Sequence, residues 1–203
     1  MKFDAIRPCK GRPREFDVDD ALAAALRVFW QKGYEAASLT DLTEAMGITR
    51  PSLYAAFGNK EALFRKALDL YEREKLAYVG EALKAPTSRQ VVERLWRGAL
   101  DMQFSDCQPR GCMRIMSSLS CGPEADSIRC DLNARRQSSR DAICARIEQA
   151  KAEGDLPSDT SADGLCSYVT AILQAMSVQA AAGATRRELE SLIDTSLGMW
   201  PGK

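Results

Sequence analysis

Residues 47–64 read GITRPSLYAAFGNKEALF, and within them Thr49, Arg50, Ser52 and Tyr54 crowd hydrogen-bond donors into little more than one helical turn, with Lys60 following at the start of the next apolar repeat. Donors of this kind suit a polyanion. Arginine donates to guanine or to phosphate, serine to either, and a tyrosine sets its hydroxyl on phosphate with its ring against the sugar. Any one of these side chains alone reads equally well as solvated surface; together at this spacing they favour DNA. A second cationic group lies upstream, where Lys2, Arg7, Lys10, Arg12 and Arg14 stand against Asp4 alone, a net +4 on residues 1–14, interspersed with Pro8, Gly11 and Pro13. A basic arm of this composition releases counterions when it meets phosphates, with Arg12 and Arg14 nearest the folded part.

The third reactive group is sulfur. Cys107 and Cys112 flank a Pro-Arg-Gly loop with Arg110 and Arg114 close by, and Cys121 follows at the far end of a short apolar segment. A neighbouring guanidinium favours the thiolate, the form that oxidants and electrophiles attack, so Cys112 with Cys107 or Cys121 is a candidate thiol switch. The plainer reading makes every cysteine a small hydrophobe, as Cys144 and Cys166 read. With seven cysteines and no C-x-x-C spacing, mostly free thiols are expected, and neither a disulfide scaffold nor a metal centre.

Other chemistries are removed by what the chain lacks. There is no histidine among its 203 residues, so no Ser-His or Cys-His nucleophile pair and no histidine metal ligand can form. No enzyme, metal or cofactor is expected. A balance of 45% hydrophobic and 28% charged residues is that of a folded globular chain. Without an apolar run of about 18 residues or a signal-like N-terminus, no membrane association and a cytoplasmic location are expected.

The elements that must position these groups are all helical, because apolar residues recur at three and four and no alternating β-branched run or Asn-Gly hairpin occurs. Asp17 is placed to cap a first helix carrying Leu22, Leu26 and Phe29 and ending at Gly33. Thr40 is placed to cap a second, with Glu44 completing the pattern, Leu42, Ala45 and Met46 inward, and Gly47 ending it. Thr49 caps a third, in which Arg50 and Pro51 occupy the first turn and Leu53 and Phe57 supply the buried side. Two short helices joined by Gly-Ile-Thr behind a longer one predict a helix-turn-helix, with the third helix in the major groove. Lys60 begins the next helix, where its charge and the free backbone N–H groups attract phosphate.

The segment from about Phe16 to Leu68 resembles the N-terminal domain of the tetracycline-repressor-like (TetR/AcrR) transcriptional regulators, through Phe29, Gly33, Tyr34, Thr40, Gly47, Ile48, Thr49, Leu53, Tyr54, Phe57, Lys60, Glu61 and Leu63. The resemblance implies that Thr40, Thr49, Arg50, Pro51, Ser52, Tyr54 and Lys60 contact DNA and that the protein works as a homodimer on near-palindromic double-stranded operators. Pro51 and the Ala55–Ala56 pair depart from the residues many members carry there, so base readout rests on fewer side chains.

Beyond Leu68 the spacing predicts one helix from Asn59 to Leu83, a helix over 88–105 with Val92, Leu95, Trp96, Ala99 and Gln103 on one side, and a short helix whose Met113, Met116 and Leu119 turn inward as core or as a pocket wall. A long helix follows with Ile128, Leu132, Ile143 and Ile147 inward. The closing pair carries two stripes, Leu165, Val169, Ile172, Leu173, Met176 and Ala180, then Leu189, Leu192, Ile193 and Leu197, which read as monomer core or as a two-fold interface. In regulators of the resembling family the second domain encloses a small apolar effector, which points to Trp96, Met113, Met116, Tyr168 and Ile172 as lining. Some members also answer electrophiles through a Gly-Cys at a similar place.

The resulting expectation is an all-α protein: a basic arm over 1–15, an N-terminal three-helix DNA-binding domain over 16–66, and a C-terminal helical effector-binding and dimerisation domain over 67–203. Its activity would be effector-released repression, with thiol-based sensing as one alternative. The other is a ligand-binding or catalytic helical protein with an idle helix-turn-helix.

Overall fold

The computed structural model describes residues 16–105, 109–120, 122 and 125–202, and among them every regular element is α-helical. Ten helices follow one another: α1 (Val18–Ala36), α2 (Leu39–Met46), α3 (Arg50–Phe57), α4 (Lys60–Lys75), α5 (Ala77–Leu83), α6 (Ser88–Gln103), α7 (Met113–Ser120), α8 (Asp126–Ala152), α9 (Ala162–Ala181) and α10 (Arg186–Gly198). Arg12, Arg14, Cys107 and Cys121 lie outside the described residues.

Local chemistry starts most of these elements. The Asp17 carboxylate accepts from the backbone N–H groups of Asp19 and Asp20 at 2.8 and 3.1 Å. Thr49, Asn59, Thr87 and Ser161 cap α3, α4, α6 and α9 in the same way. The start of α2 differs from expectation. Its cap is Ser38, not Thr40, and the residue that completes the box is Asp41, not Glu44. Asp41 accepts from the Ser38 N–H and hydroxyl at 3.0 and 2.8 Å and from Lys32 Nζ at 2.7 Å. The lysine, then the serine contacts, hold its carboxyl down at about 2.

Two corrections concern helix ends. Helix α1 does not stop at Gly33 but kinks there (φ 75°, ψ 178°) and runs to Ala36. Aromatic packing draws the chain back: the Phe64 ring lies 5.0 Å from Phe29 and 5.2 Å from Tyr34, edge-on to both. The single helix expected over 59–83 is two, broken at Leu76. No proline or glycine forces the break. It is tertiary in origin, since Leu76 packs on one core while Tyr78 and Val79 pack on another.

Those cores divide the molecule. The first joins α1 to α4 with Cys112 and Met113 and with Ile128 and Leu132 from the start of α8. The second joins α5, α6, α9 and α10 with Ile143, Ile147 and Ala150 from the far end of α8. The two closing stripes are largely spent inside the monomer, with Val169, Met176, Ala180, Leu189, Ile193 and Leu197 buried. Ala45 is exposed, and Leu119, expected inward, is 69% exposed. Cys144 and Cys166 are not free thiols but form a disulfide between α8 and α9, because antiparallel packing brings Cα atoms 22 positions apart in sequence to 5.3 Å.

Candidate nucleic-acid interface and effector cavity

The turn between α2 and α3 is built on Gly47, whose left-handed backbone (φ 64°, ψ 30°) lets its N–H reach the Glu44 carbonyl and the Ile48 N–H reach the Thr43 carbonyl. Leu42 and Met46 of α2 and Leu53 and Phe57 of α3 are then buried against Phe29, Leu63 and Phe64. With that side fixed, the polar side of α3 must face out. Thr49 Oγ1 accepts from the Ser52 N–H at 3.4 Å and lies 3.0 Å from its hydroxyl. Arg50 Nη2 donates to Thr40 Oγ1 at 2.9 Å, joining the first turns of α2 and α3 into one donor strip. Pro51 is exposed beside it, Tyr54 is 48% exposed one turn further along, and α3 itself contains no carboxylate.

Lys60 is more constrained than its sequence position suggests. Its Nζ donates to the Glu35 carbonyl at 3.2 Å and sits 4.7 Å over the Tyr34 ring, and partial burial lowers its pKa. It thus ties the start of α4 to the end of α1 while leaving a cation at a helix N-terminus. The structure brings Thr40, Thr49, Arg50, Pro51, Ser52 and Tyr54 onto one outer surface.

A cavity of about 380 Å³ opens between α7, α8 and α9. Its wall carries Arg114, Arg136, Arg140, Gln137, Thr170 and Gln174 around Ile115, Ile143 and Leu173. Behind it a chamber of about 80 Å³ is walled by Tyr78, Val79, Leu95, Ala99, Met102 and Gln103, and the two share Cys112, Arg114, Ile115, Ser139, Ile143 and Leu173. Gly111 (φ 89°) sets the approach to Cys112; a Cβ there would meet Ser177 O and Ala181 Cβ at 3.2 Å. The Cys112 N–H donates to Ser177 Oγ at 2.6 Å and the Trp30 indole to the Gly111 carbonyl at 2.6 Å, which pins the segment between the two cores. The thiol is in no disulfide and is buried beside Tyr71, whose phenol is pushed well above its ordinary value, by burial first and by Cys112 next.

None of the five residues expected to line the pocket lines this cavity. Trp96 is fully buried, its indole donating to the Val169 carbonyl at 3.3 Å with Tyr168 edge-on to it, so both belong to the second core. Met113 belongs to the first core, Ile172 packs on the second, and Met116 borders a separate depression with Trp30, Lys32 and Arg110. The residues missed were Arg114, Arg136, Ser139 and Gln103. Two of them left a local signal: Gln103, a polar side chain on the apolar stripe of α6, and Arg114, a guanidinium two residues from Cys112.

Arg114 also reaches out of the cavity. Its Nη1 donates to Glu72 on α4 at 3.1 Å and to Ser139 at 3.0 Å. Glu72 in turn accepts from Arg135 at 2.8 Å, and Arg135 also pairs with Asp69 and Asp131 at 2.7 and 3.0 Å.

Residues 21–67, which hold this helix-turn-helix, match the family of bacterial regulatory proteins named for tetR. Over 199 residues the chain is 35% identical to the HTH-type transcriptional repressor ComR of Escherichia coli (strain K12), spanning 97% of this chain and 94% of that one. The chain belongs to the TetR family. A cysteine-substituted form of the TetR family regulator CifR, solved with 26-bp double-strand operator DNA, superposes with a TM-score of 0.89 at 42% identity, covering 94% of this chain and all of that one. This TetR-family chain is accordingly a helix-turn-helix transcriptional regulator. No helix among its described residues is long and apolar enough to cross a membrane.

Proposed function

We propose that the protein is a repressor that binds a palindromic operator as a homodimer and is released when a small molecule occupies the cavity between α7, α8 and α9. The observation that carries the DNA reading is the exposed strip on α2 and α3, where Arg50, held by Thr40, stands beside Ser52 and Tyr54 on a helix with no carboxylate. Thr49 and Lys60 place the ends of that strip, and Arg12 and Arg14 would add backbone contacts. The outer side of α9, with Val178 43% exposed, supports a two-fold interface there. Pairing sets two α3 helices at successive major grooves, about 34 Å apart. Effector binding favours a conformer in which that spacing is lost.

Selection of random duplex DNA by the purified protein tests this reading. An inverted repeat should be enriched, and Arg50→Ala should lower affinity for it by roughly tenfold to a hundredfold, one bidentate contact being worth about 1–3 kcal/mol. Retention of DNA with no sequence enrichment would overturn it.

A second reading is favoured by Cys112, which is free and faces both chambers. An α,β-unsaturated carbonyl entering the cavity would add to its sulfur, the C–S bond forming as the C=C π bond breaks and the thiol proton passing to the α-carbon, and DNA would be released. Mass spectrometry after treatment with a small electrophile should find Cys112 modified ahead of the exposed Cys130; preferential labelling of Cys130 would remove this reading.

A further inference from the structure

Resting on the reading of this cavity as the effector site, we propose that its effector is an amphipathic organic anion whose acid group takes Arg114 from Glu72 and whose far end fills the inner chamber. The outer wall presents Arg114, Arg136 and Arg140 and no carboxylate. Arg140 already has Asp163 at 2.6 Å. Arg136 has only the Ser118 hydroxyl at 3.5 Å and no carboxylate partner among the described residues. A ligand cation is repelled there, and a carboxylate finds guanidinium donors whose planar forks match it.

Arg114 makes the charge selective. Its side chain is only 13% exposed, and its Nη1 is satisfied by Glu72, Ser139 and the Arg135 carbonyl, while its buried Nε has no acceptor. An incoming carboxylate supplies one. At the other end Gln103 is 2% exposed and its Oε1 is buried on the wall of the inner chamber without a partner. Buried polar groups ordinarily have partners, so an acceptor left open beside Leu95, Ala99 and Met102 on the chamber wall marks where a ligand hydroxyl belongs. The stretch between the two is apolar, formed by Ile115, Ile143 and Leu173.

The same geometry gives the anion a means of release. Glu72 is held by Arg114 from α7 and Arg135 from α8, and it lies on α4, whose first turn adjoins the DNA-binding helices. A carboxylate that occupies Arg114 leaves Glu72 with Arg135 alone, and α4 loses its ion pair with α7 while Tyr71 still packs on Met113. A neutral ligand of the same shape fills the space without drawing on that ion pair.

The test is thermal unfolding and operator release of the full-length protein with octanoate, ω-hydroxyoctanoate, 1-octanol and octylamine, against an operator obtained by selection. Both carboxylates should raise Tm and release the operator, the hydroxy acid at lower concentration, and Arg136→Gln should raise the concentration of octanoate needed by tenfold or more. If octanol or octylamine acts as well as octanoate, the cavity remains an effector site and the anion class falls. Carboxylates that raise Tm without releasing the operator would overturn the displacement of Glu72. No response to any of the four would overturn the anion class and the effector reading together.

Discussion

The helix-turn-helix and the cavity are built on opposite plans. In the first, residues close in sequence make the decisive contacts: Ser38 with Asp41, Gly47 with Glu44, Thr49 with Ser52, Asn59 with Ala62. In the second, the walls come from α5, α6, α7, α8 and α9, and the contacts join Arg114 to Glu72 and Cys112 to Ser177, 42 and 65 residues apart. A unit that must present side chains to a regular duplex is fixed by short-range capping. The walls of the cavity keep polar atoms of Arg114 and Gln103 unpaired, and a helix breaks beside it at Leu76.

That contrast can be broken by substitution, and the largest effect belongs to the DNA-binding unit. Leu53 is fully buried behind the α3 strip, so Leu53→Ala should cost about 2–5 kcal/mol and abolish operator binding, read by thermal melting and gel retardation. A melt unchanged from wild type would mean that α3 is not held by this packing. Next comes Gly98 on α6, where a Cβ would lie 2.3 Å from the Tyr78 ring, which walls the inner chamber. Gly98→Ala should destabilise by about 1–3 kcal/mol through overpacking and alter ligand response more than DNA affinity. The smallest effect is at Asp41. Its carboxyl sits at about 2 against an ordinary 3.8, so the stabilisation it gives is present above pH 3.8 and is lost as pH falls towards 2. Asp41→Asn should therefore lower Tm at pH 7, and the gap to wild type should narrow steadily as the solution is acidified through that window.

How much was legible in the sequence follows the same division. Asp17 and Thr49 announce their helices because a cap is chemistry over three residues, and Leu53 and Phe57 announce their burial because four residues return a side chain to one face. Thr40 misled because two hydroxyl residues, Ser38 and Thr40, compete for the same cap, and Asp41 at three from Ser38 decides between them. Trp96, Met113, Met116, Tyr168 and Ile172 misled because periodicity says that a residue is inward and not whether it meets another helix or open space. The Cys144–Cys166 disulfide was hidden for the same reason: only the pairing of α8 with α9 sets the two sulfurs together.

Helix α8 carries a consequence for how the protein comes apart. Its 27 residues span about 40 Å at 1.5 Å each, and its ends are rooted in different cores. One continuous ladder of amide bonds is therefore common property of both halves of the chain. Heat that frees Ile128 and Leu132 unseats the base from which Ile143 and Ile147 are held, so calorimetry should record a single endotherm in which the helix-turn-helix and the helices around the cavity are lost together.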